Sequence, residues 1–269
     1  MSDVIRPPQA PCYPDLKGKS ALVTGGGSGI GRGICLRLGA EGMRVFLCGR
    51  TEKTIQETAE LVRAEGGEAV PFVADLSQPE QIERLFEQLY VVCESLDVLV
   101  HNAARKGGGP LQTLNLDLWR AFMTTNLDSA FLLTKKACET MIPRKSGSII
   151  FISTIGGLRP HYHMVPYDTS KSGMDGFTRA AAIELAEHGI RVNAVAPGAI
   201  ATGGPVFKKE IPSSHLAHAH VPLRRRGVPA EIAACVAFLA SAQAEYIVGQ
   251  TVYVDGGATV QLHPRSSPI

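Results

Sequence analysis

Ala21-Leu22-Val23-Thr24-Gly25-Gly26-Gly27-Ser28-Gly29-Ile30-Gly31-Arg32-Gly33-Ile34 is the stretch that decides the fold. A short apolar run stops at Thr24, glycines follow, and apolar residues resume at helical spacing from Ile30. That pattern is a strand, a tight turn and the start of a helix. Glycine tolerates positive φ and lets a backbone or a ligand come close, where a Cβ would collide. The free N–H groups at a helix N-terminus, with their partial positive charge, suit a phosphate. The spacing Gly25-x-x-x-Gly29-x-Gly31 departs from a strict G-x-G-x-x-G. Arg32-Gly33 stands where a P-loop needs Lys followed by Ser or Thr. A purely structural turn is the alternative to a phosphate cradle, and the rest of the chain has to decide.

Outward from this unit the chain alternates. Strands are expected at Ser20–Thr24, Arg44–Cys48, Ala69–Ala74, Asp97–His101, Gly147–Ser153, Arg191–Ala196 and Thr251–Val254. Helices are expected at about 29–41, Thr51–Ala64, 78–93, Asp117–Met141 (closed by Pro143), 166–188 and Pro229–Ser241. Such alternation gives an α/β fold with a doubly wound parallel sheet, helices on both faces and right-handed crossovers. No linker interrupts residues 18–257, so one domain is expected. Residues 1–17, with Pro7, Pro8, Pro11 and Pro14, read as an extended arm, poorly ordered or packed on a neighbour, and 258–269 as a tail.

Composition narrows the partners. A hydrophobic share of 45% supplies a sizeable core, and 19% charged residues argues against disorder. A net charge of +2 gives no electrostatic reason to expect nucleic acid. The six cysteines are scattered with no C-x-x-C, which fits free thiols in a reducing compartment. With no secretory pattern and no uninterrupted apolar run of membrane-spanning length, a soluble cytoplasmic protein is expected.

In open sheets of this kind ligands bind beyond the carboxyl ends of the strands. After the second strand come Gly49-Arg50, with no acid to hold a ribose 2′-hydroxyl and an Arg able to meet a 2′-phosphate. That favours NADP over NAD, NAD remaining possible; a merely solvated Arg is the bland alternative. Asp75-Leu76 follows the third strand, where it could meet an adenine edge or simply cap the next helix. Asn102-Ala103-Ala104 follows the fourth, small enough for a cofactor to lie against the backbone. Asn126 lies within the next helix, as a functional amide or a buried structural one. Tyr167 and Lys171, four apart, project from one helix face. An ammonium held near a phenol is expected to lower its pKa from ~10 and let it exchange a proton while a hydride moves.

These residues, in this order, resemble the short-chain dehydrogenase/reductase family, over about residues 18–257. The resemblance is carried by Thr24-Gly25-Gly26-Gly27-Ser28-Gly29-Ile30-Gly31, Asn102-Ala103-Ala104, Asn126, Tyr167 with Lys171, and Asn193-Ala194-Val195-Ala196-Pro197-Gly198. It implies a seven-stranded single-domain Rossmann fold and a nicotinamide cofactor. Tyr167 becomes the acid/base, Lys171 the residue that binds the nicotinamide ribose and tunes Tyr167, and Asn126 the holder of a relay water. Gly25, Gly27, Ser28, Gly29, Ile30, Asn102 and Ala103 are implied at the cofactor, with Pro197, Gly198, Ile200 and Thr202 near the nicotinamide. Residues 199–222 take the place of a substrate lid, and a homotetramer is implied, built partly on Phe131, Leu132, Ala137, Met141, Phe177, Ala181 and Leu185.

Three positions depart from the family pattern. In Ile152-Ser153-Thr154 the hydroxyl expected second is a threonine, so the role goes to Thr154 with Ser153 as fallback. His101 precedes Asn102 where the family often has another Asn, and Ser28 replaces the basic residue of some NADP-preferring members. His215, His218 and His220 could suggest a metal, but no Cys or carboxylate completes a site, and none is expected. Arg159 to His163 are implied at the substrate cleft, or are exposed loop residues. The activity implied is hydride transfer between NADP(H) and a secondary alcohol or carbonyl in a small molecule. The lid and tail look like the glucose-dehydrogenase-like and 3-oxoacyl-reductase-like branches, which puts a sugar or polyol first and a 3-oxoacyl or cyclic ketone second. A non-catalytic protein that senses NADP(H) is the rival from another class.

Overall fold

The computed structural model describes residues 4–262. Seven parallel strands form the main sheet: β1 (Ser20–Thr24), β2 (Arg44–Gly49), β3 (Glu68–Val73), β4 (Val98–His101), β5 (Gly147–Ile152), β6 (Ile190–Pro197) and β7 (Thr251–Val254). Their order is β3-β2-β1-β4-β5-β6-β7, with Ala21 beside both Val45 and Val98. The chain reverses direction across the sheet between β1 and β4, which opens a crevice at the carboxyl ends of those two strands.

The strands are apolar on both faces because both faces are covered. Ala21, Val23, Val45 and Leu47 meet α1 (Gly29–Ala40), α2 (Glu52–Ala64) and α7 (Pro229–Ala240). Leu22, Phe46, Leu99 and Phe151 point the other way, toward α3 (Pro79–Val92), α5 (Ser129–Arg144) and α6 (Val165–Ala186). Side chains such as Phe46 and Phe86 are wholly buried, each worth about 1.5–3 kcal/mol. Gly33 lets α1 and α7 cross closely, since a Cβ there would fall 2.6 Å from Pro229 Cβ.

Two expectations fail here. The helix foreseen over Asp117–Met141 is broken: α4 (Leu116–Met123) passes through a π turn at Thr124–Asp128 into α5. Pro143 lies inside the last turn, and the stop is Lys145, in the left-handed conformation. One wider turn rotates the residues around it, and it leaves Asn126 wholly buried. The N-terminal arm is also tied to its own chain. Val4–Ile5 pairs antiparallel with Ile211–Pro212, and Arg6 bridges Glu210. The Cys12 and Tyr13 N–H groups both donate to Glu41 Oε2, at 2.7 and 2.9 Å.

Val206, Ile211 and Leu216, from the segment 199–222 expected as a lid, form a small separate core with Val228. Of the apolar residues expected to face a second copy, Ala137, Met141 and Ala181 are buried in the main core, whereas Phe131 is exposed. Among the described residues no helix is long and apolar enough to cross a membrane.

Candidate active site

The crevice between β1 and β4 opens into a cavity of about 630 Å³. Its floor is the glycine turn. Gly25 and Gly29 both have positive φ, at 63° and 52°. A Cβ on Gly25 would lie 2.9 Å from Ala103 Cα, and one on Gly31 would run into the Gly25 carbonyl oxygen. Asn102 braces the turn: its Nδ2 donates to the carbonyls of Thr24 (3.0 Å) and Gly25 (3.2 Å). Thr24 Oγ1 accepts from the N–H groups of Asn102 and Ala103 in return. Ser28 sits at the N-cap of α1 without bonding the helix through its side chain, so the first N–H groups of α1 meet no side-chain cap. An open helix N-terminus over a floor where a Cβ cannot fit is what a dinucleotide pyrophosphate needs, and the residues fit that group.

Every residue expected at the cofactor stands in the wall of this one cavity: Gly25, Gly27, Ser28, Gly29, Ile30, Arg50, Asp75, Leu76, Asn102, Ala103, Tyr167, Lys171, Pro197, Gly198, Ile200 and Thr202. Arg50 follows β2 with its guanidinium exposed and without a hydrogen-bond or ion-pair partner among the described residues. Asp75 is partly committed, because its Oδ1 accepts from Ser77 N (3.0 Å) and Ser77 Oγ (2.8 Å) in a local turn; the N-cap of α3 is Gln78, so Asp75 does not cap that helix.

At the other end α6 carries Tyr167 and Lys171 beneath the end of β5. Thr154 lies close enough to Tyr167 for its hydroxyl to favour the phenolate. Thr154 Oγ1 also accepts from Gly156 N at 3.3 Å. Ser153 lines the cavity too; its buried hydroxyl makes no hydrogen bond among the described residues and lies near enough to Asp175 to favour that carboxylate. Lys171 is wholly buried, with Nζ donating to the Ile152 carbonyl at 2.6 Å. Asn126 does not line the cavity. Its Oδ1 accepts from Arg105 N (2.7 Å), and its Nδ2 donates to Arg105 O (3.1 Å) and to Ser170 Oγ (2.9 Å). It joins the loop after β4 to α6.

The electrostatics correct one expectation. Burial pushes the Tyr167 phenol up to about 12, against the lowering by the nearby Thr154 hydroxyl and helped by the Asp168 charge. The lowering by Lys171 foreseen from the four-residue spacing does not prevail. Lys171 is itself pushed down to about 7, first by burial and then by the charge of Lys106. Desolvation outweighs the pair's attraction. His101 is driven down to about 3, first by burial and then by Lys171, so it is neutral. Its Nε2 meets Ser129 Oγ at 2.8 Å.

Sequence reasoning missed several wall residues: Thr51, Thr54, Thr125, Ile152, and the adjacent cations Arg105 and Lys106. The last two directly follow Asn102-Ala103-Ala104, so the strand-end rule extended by two residues would have reached them. Arg159, His161 and His163 are absent from the wall. His161 is held by Asp168, which accepts from its N–H at 2.6 Å and pairs with its Nδ1 at 3.0 Å. His215 lines a separate cavity under the lid with Leu216 and Arg226. Among the described residues no three His, Cys, Asp or Glu side chains converge on a metal position.

Fold and cleft together define a Rossmann-type dinucleotide-binding protein. Residues 25–259 match a family described as enoyl-(acyl carrier protein) reductase. The chain is 36% identical over 251 residues to 3β-hydroxysteroid dehydrogenase 1 of Eggerthella lenta, covering 92% of this chain and 96% of that one. It is equally identical, over 251 residues, to glucose 1-dehydrogenase 2 of Bacillus subtilis, covering 92% and 97%. An actinorhodin polyketide ketoreductase crystallised with NADPH superposes with a TM-score of 0.84 at 36% identity, covering 91% of this chain and 98% of that one. This chain belongs to the short-chain dehydrogenase/reductase family of oxidoreductases.

Proposed function

We propose that the protein is an NADP(H)-preferring reductase or dehydrogenase that interconverts a carbonyl and a secondary alcohol, with Tyr167 as the proton carrier. The observation that carries this reading is that Thr154, Tyr167 and Lys171 stand in the wall of one cavity whose opposite end holds the unpaired Arg50. Gly25, Gly27, Ser28, Gly29, Ile30, Asn102 and Ala103 would hold the dinucleotide backbone, and Arg50 its 2′-phosphate. Pro197, Gly198, Ile200 and Thr202 would face the nicotinamide, and Asp75 and Leu76 the adenine. When bound, the nicotinamide supplies or accepts the hydride.

The chain's own residues handle the proton. A phenol held above its ordinary pKa stays protonated at neutral pH and is placed to donate to a carbonyl oxygen as negative charge develops there. Thr154 shares that oxygen through its hydroxyl. Lys171 anchors α6 to β5 and would hold the nicotinamide ribose, and Asn126 fixes the loop beside it.

Sugars and polyols, then 3-oxoacyl and cyclic ketones, are the first substrates to assay, since relatives carry names from both groups. The test follows NADPH and NADH consumption across such a panel, with calorimetric titration of both cofactors. NADP(H) is expected to bind about tenfold or more tightly than NAD(H), and Arg50→Ala to erase most of that difference. Equal affinity in the unmodified protein contradicts the Arg50 argument. Tight NADPH binding with no turnover on any carbonyl would make the protein a cofactor sensor.

A further inference from the structure

The wall of the cleft is mainly cationic. Arg50, Arg105, Lys106 and Lys171 all stand in it, and Asp75 is its sole carboxylate among the described residues. Asp75 follows β3, at the adenine end, and already engages Ser77. Arg50 is accounted for by the cofactor, and Lys171 by the Ile152 carbonyl. Arg105 lays its guanidinium over the Phe122 ring, 5.5 Å from the centroid. Lys106 alone among these cations has no assigned counterpart, and it makes no hydrogen bond or ion pair among the described residues.

Lys106 is also held in place. Asn126 clasps both the N–H and the C=O of Arg105, the residue before it. Two residues further on, Gly108 is pressed so tightly against the His163 carbonyl and Met164 that a Cβ would not fit. Those contacts fasten the loop to the segment that opens α6, three residues before Tyr167. The exposed side chain therefore rises from a fixed backbone in the wall of the cavity that also holds Thr154 and Tyr167, near enough to Lys171 for its charge to act there.

Resting on the oxidoreductase reading above, we propose that Lys106 receives a carboxylate of the substrate, so that the compound transformed at Tyr167 is an oxo acid or its hydroxy acid. A carboxylate there completes a charge-assisted hydrogen bond that the protein itself leaves unmade. It has a second effect. The Lys106 charge contributes, after burial, to holding Lys171 down near 7, and an anion on Lys106 offsets that contribution. Substrate binding then favours the Lys171 ammonium beside Tyr167. The chemistry balances as ordinary carbonyl reduction: the carbon gains the hydride from NADPH, the oxygen gains the Tyr167 proton, and solvent returns that proton.

The test pairs α-, β- and γ-oxo acids with their methyl esters, assayed with NADPH on the unmodified protein, Lys106→Met and Lys106→Arg. Calorimetry measures binding of the same acids to the protein–NADP⁺ complex. At least one acid should exceed its ester about tenfold or more in kcat/KM. Lys106→Met should lose that advantage mainly through KM, its loss on the acid exceeding its loss on the ester about tenfold, with NADPH affinity kept, and Lys106→Arg should retain most of it. Esters turned over as well as acids, an equal loss on acid and ester, or weakened NADPH binding in Lys106→Met would each overturn the proposal. Acids that bind in a Lys106-dependent way without turnover would uphold the anion site and refute the redox reading. Failure of every acid to bind would refute the anion site, whatever the esters do.

Discussion

The two ends of the cleft are built on different principles. The end at β1 and α1 is made of backbone: glycines where a Cβ cannot fit, an open helix N-terminus, and one amide, Asn102, stapling the turn. The end at β5 and α6 is made of side chains brought together from distant parts of the chain. Thr154, Tyr167, Lys171 and Lys106 come from three separate segments, and burial shifts the two titrating groups in opposite senses, Tyr167 up and Lys171 down. A site of the first kind binds a group that many proteins share. One of the second kind sets the chemistry and the choice of substrate, and single substitutions should retune it without dismantling it.

The sharpest way to break the first end is to add one methyl group. Gly31→Ala places a Cβ against the Gly25 carbonyl oxygen, which is backbone, and 2.6 Å from Asn102 Nδ2, a side-chain atom already bonded to two carbonyls of the turn. Calorimetry should find NADPH affinity lost by at least tenfold, and thermal melting should find about 1–3 kcal/mol of stability gone. Normal NADPH binding in Gly31→Ala would mean that the turn is not the cradle.

At the second end the hydroxyls separate. Thr154→Ala should reduce kcat by about 10²–10³-fold, the scale for losing one donor to a developing oxyanion, with little change in NADPH affinity. Ser153→Ala should stay within a few-fold, because that hydroxyl serves Asp175. The reverse ranking would exchange their roles.

A smaller effect belongs to His101, beneath both ends. Its ordinary value is 6.5 and in the folded chain it lies near 3, so between those values the unfolded chain binds a proton that the native one refuses. Its contribution is fully present above about pH 6.5 and is lost as the pH falls from there toward 3. His101→Asn should flatten the fall of melting temperature with acid across that window. An unchanged slope would show that His101 is not the group responsible.

What was legible in the sequence follows the same division. The strand–turn–helix units were readable because each is local: Ala21 to Ile34 contains its own apolar run, its turn and its helix start. The parallel sheet with helices on both faces followed from alternation and handedness. The π turn at Thr124–Asp128 left no trace, because one wider turn barely disturbs a helical period. The pairing of Val4–Ile5 with Ile211–Pro212 joins segments some two hundred residues apart, and no local pattern announces it. Tyr167 and Lys171 were found by spacing, but the direction of the tyrosine's shift was not, since spacing reports proximity and says nothing of desolvation. Lys106 escaped because a lysine in a glycine-rich loop reads as solvated surface until the walls around it are known.

The account's central claim is that cofactor binding and proton transfer reside in separate, separately breakable ends of one cleft. Tyr167→Phe tests it most directly, measured for NADPH affinity by calorimetry and for single-turnover carbonyl reduction by NADPH absorbance. The ring keeps its packing and only the hydroxyl is lost. The account predicts NADPH affinity within a few-fold of the unmodified protein and reduction slowed by about 10²–10⁴-fold. Reduction at an undiminished rate, or loss of NADPH binding together with activity, would contradict it.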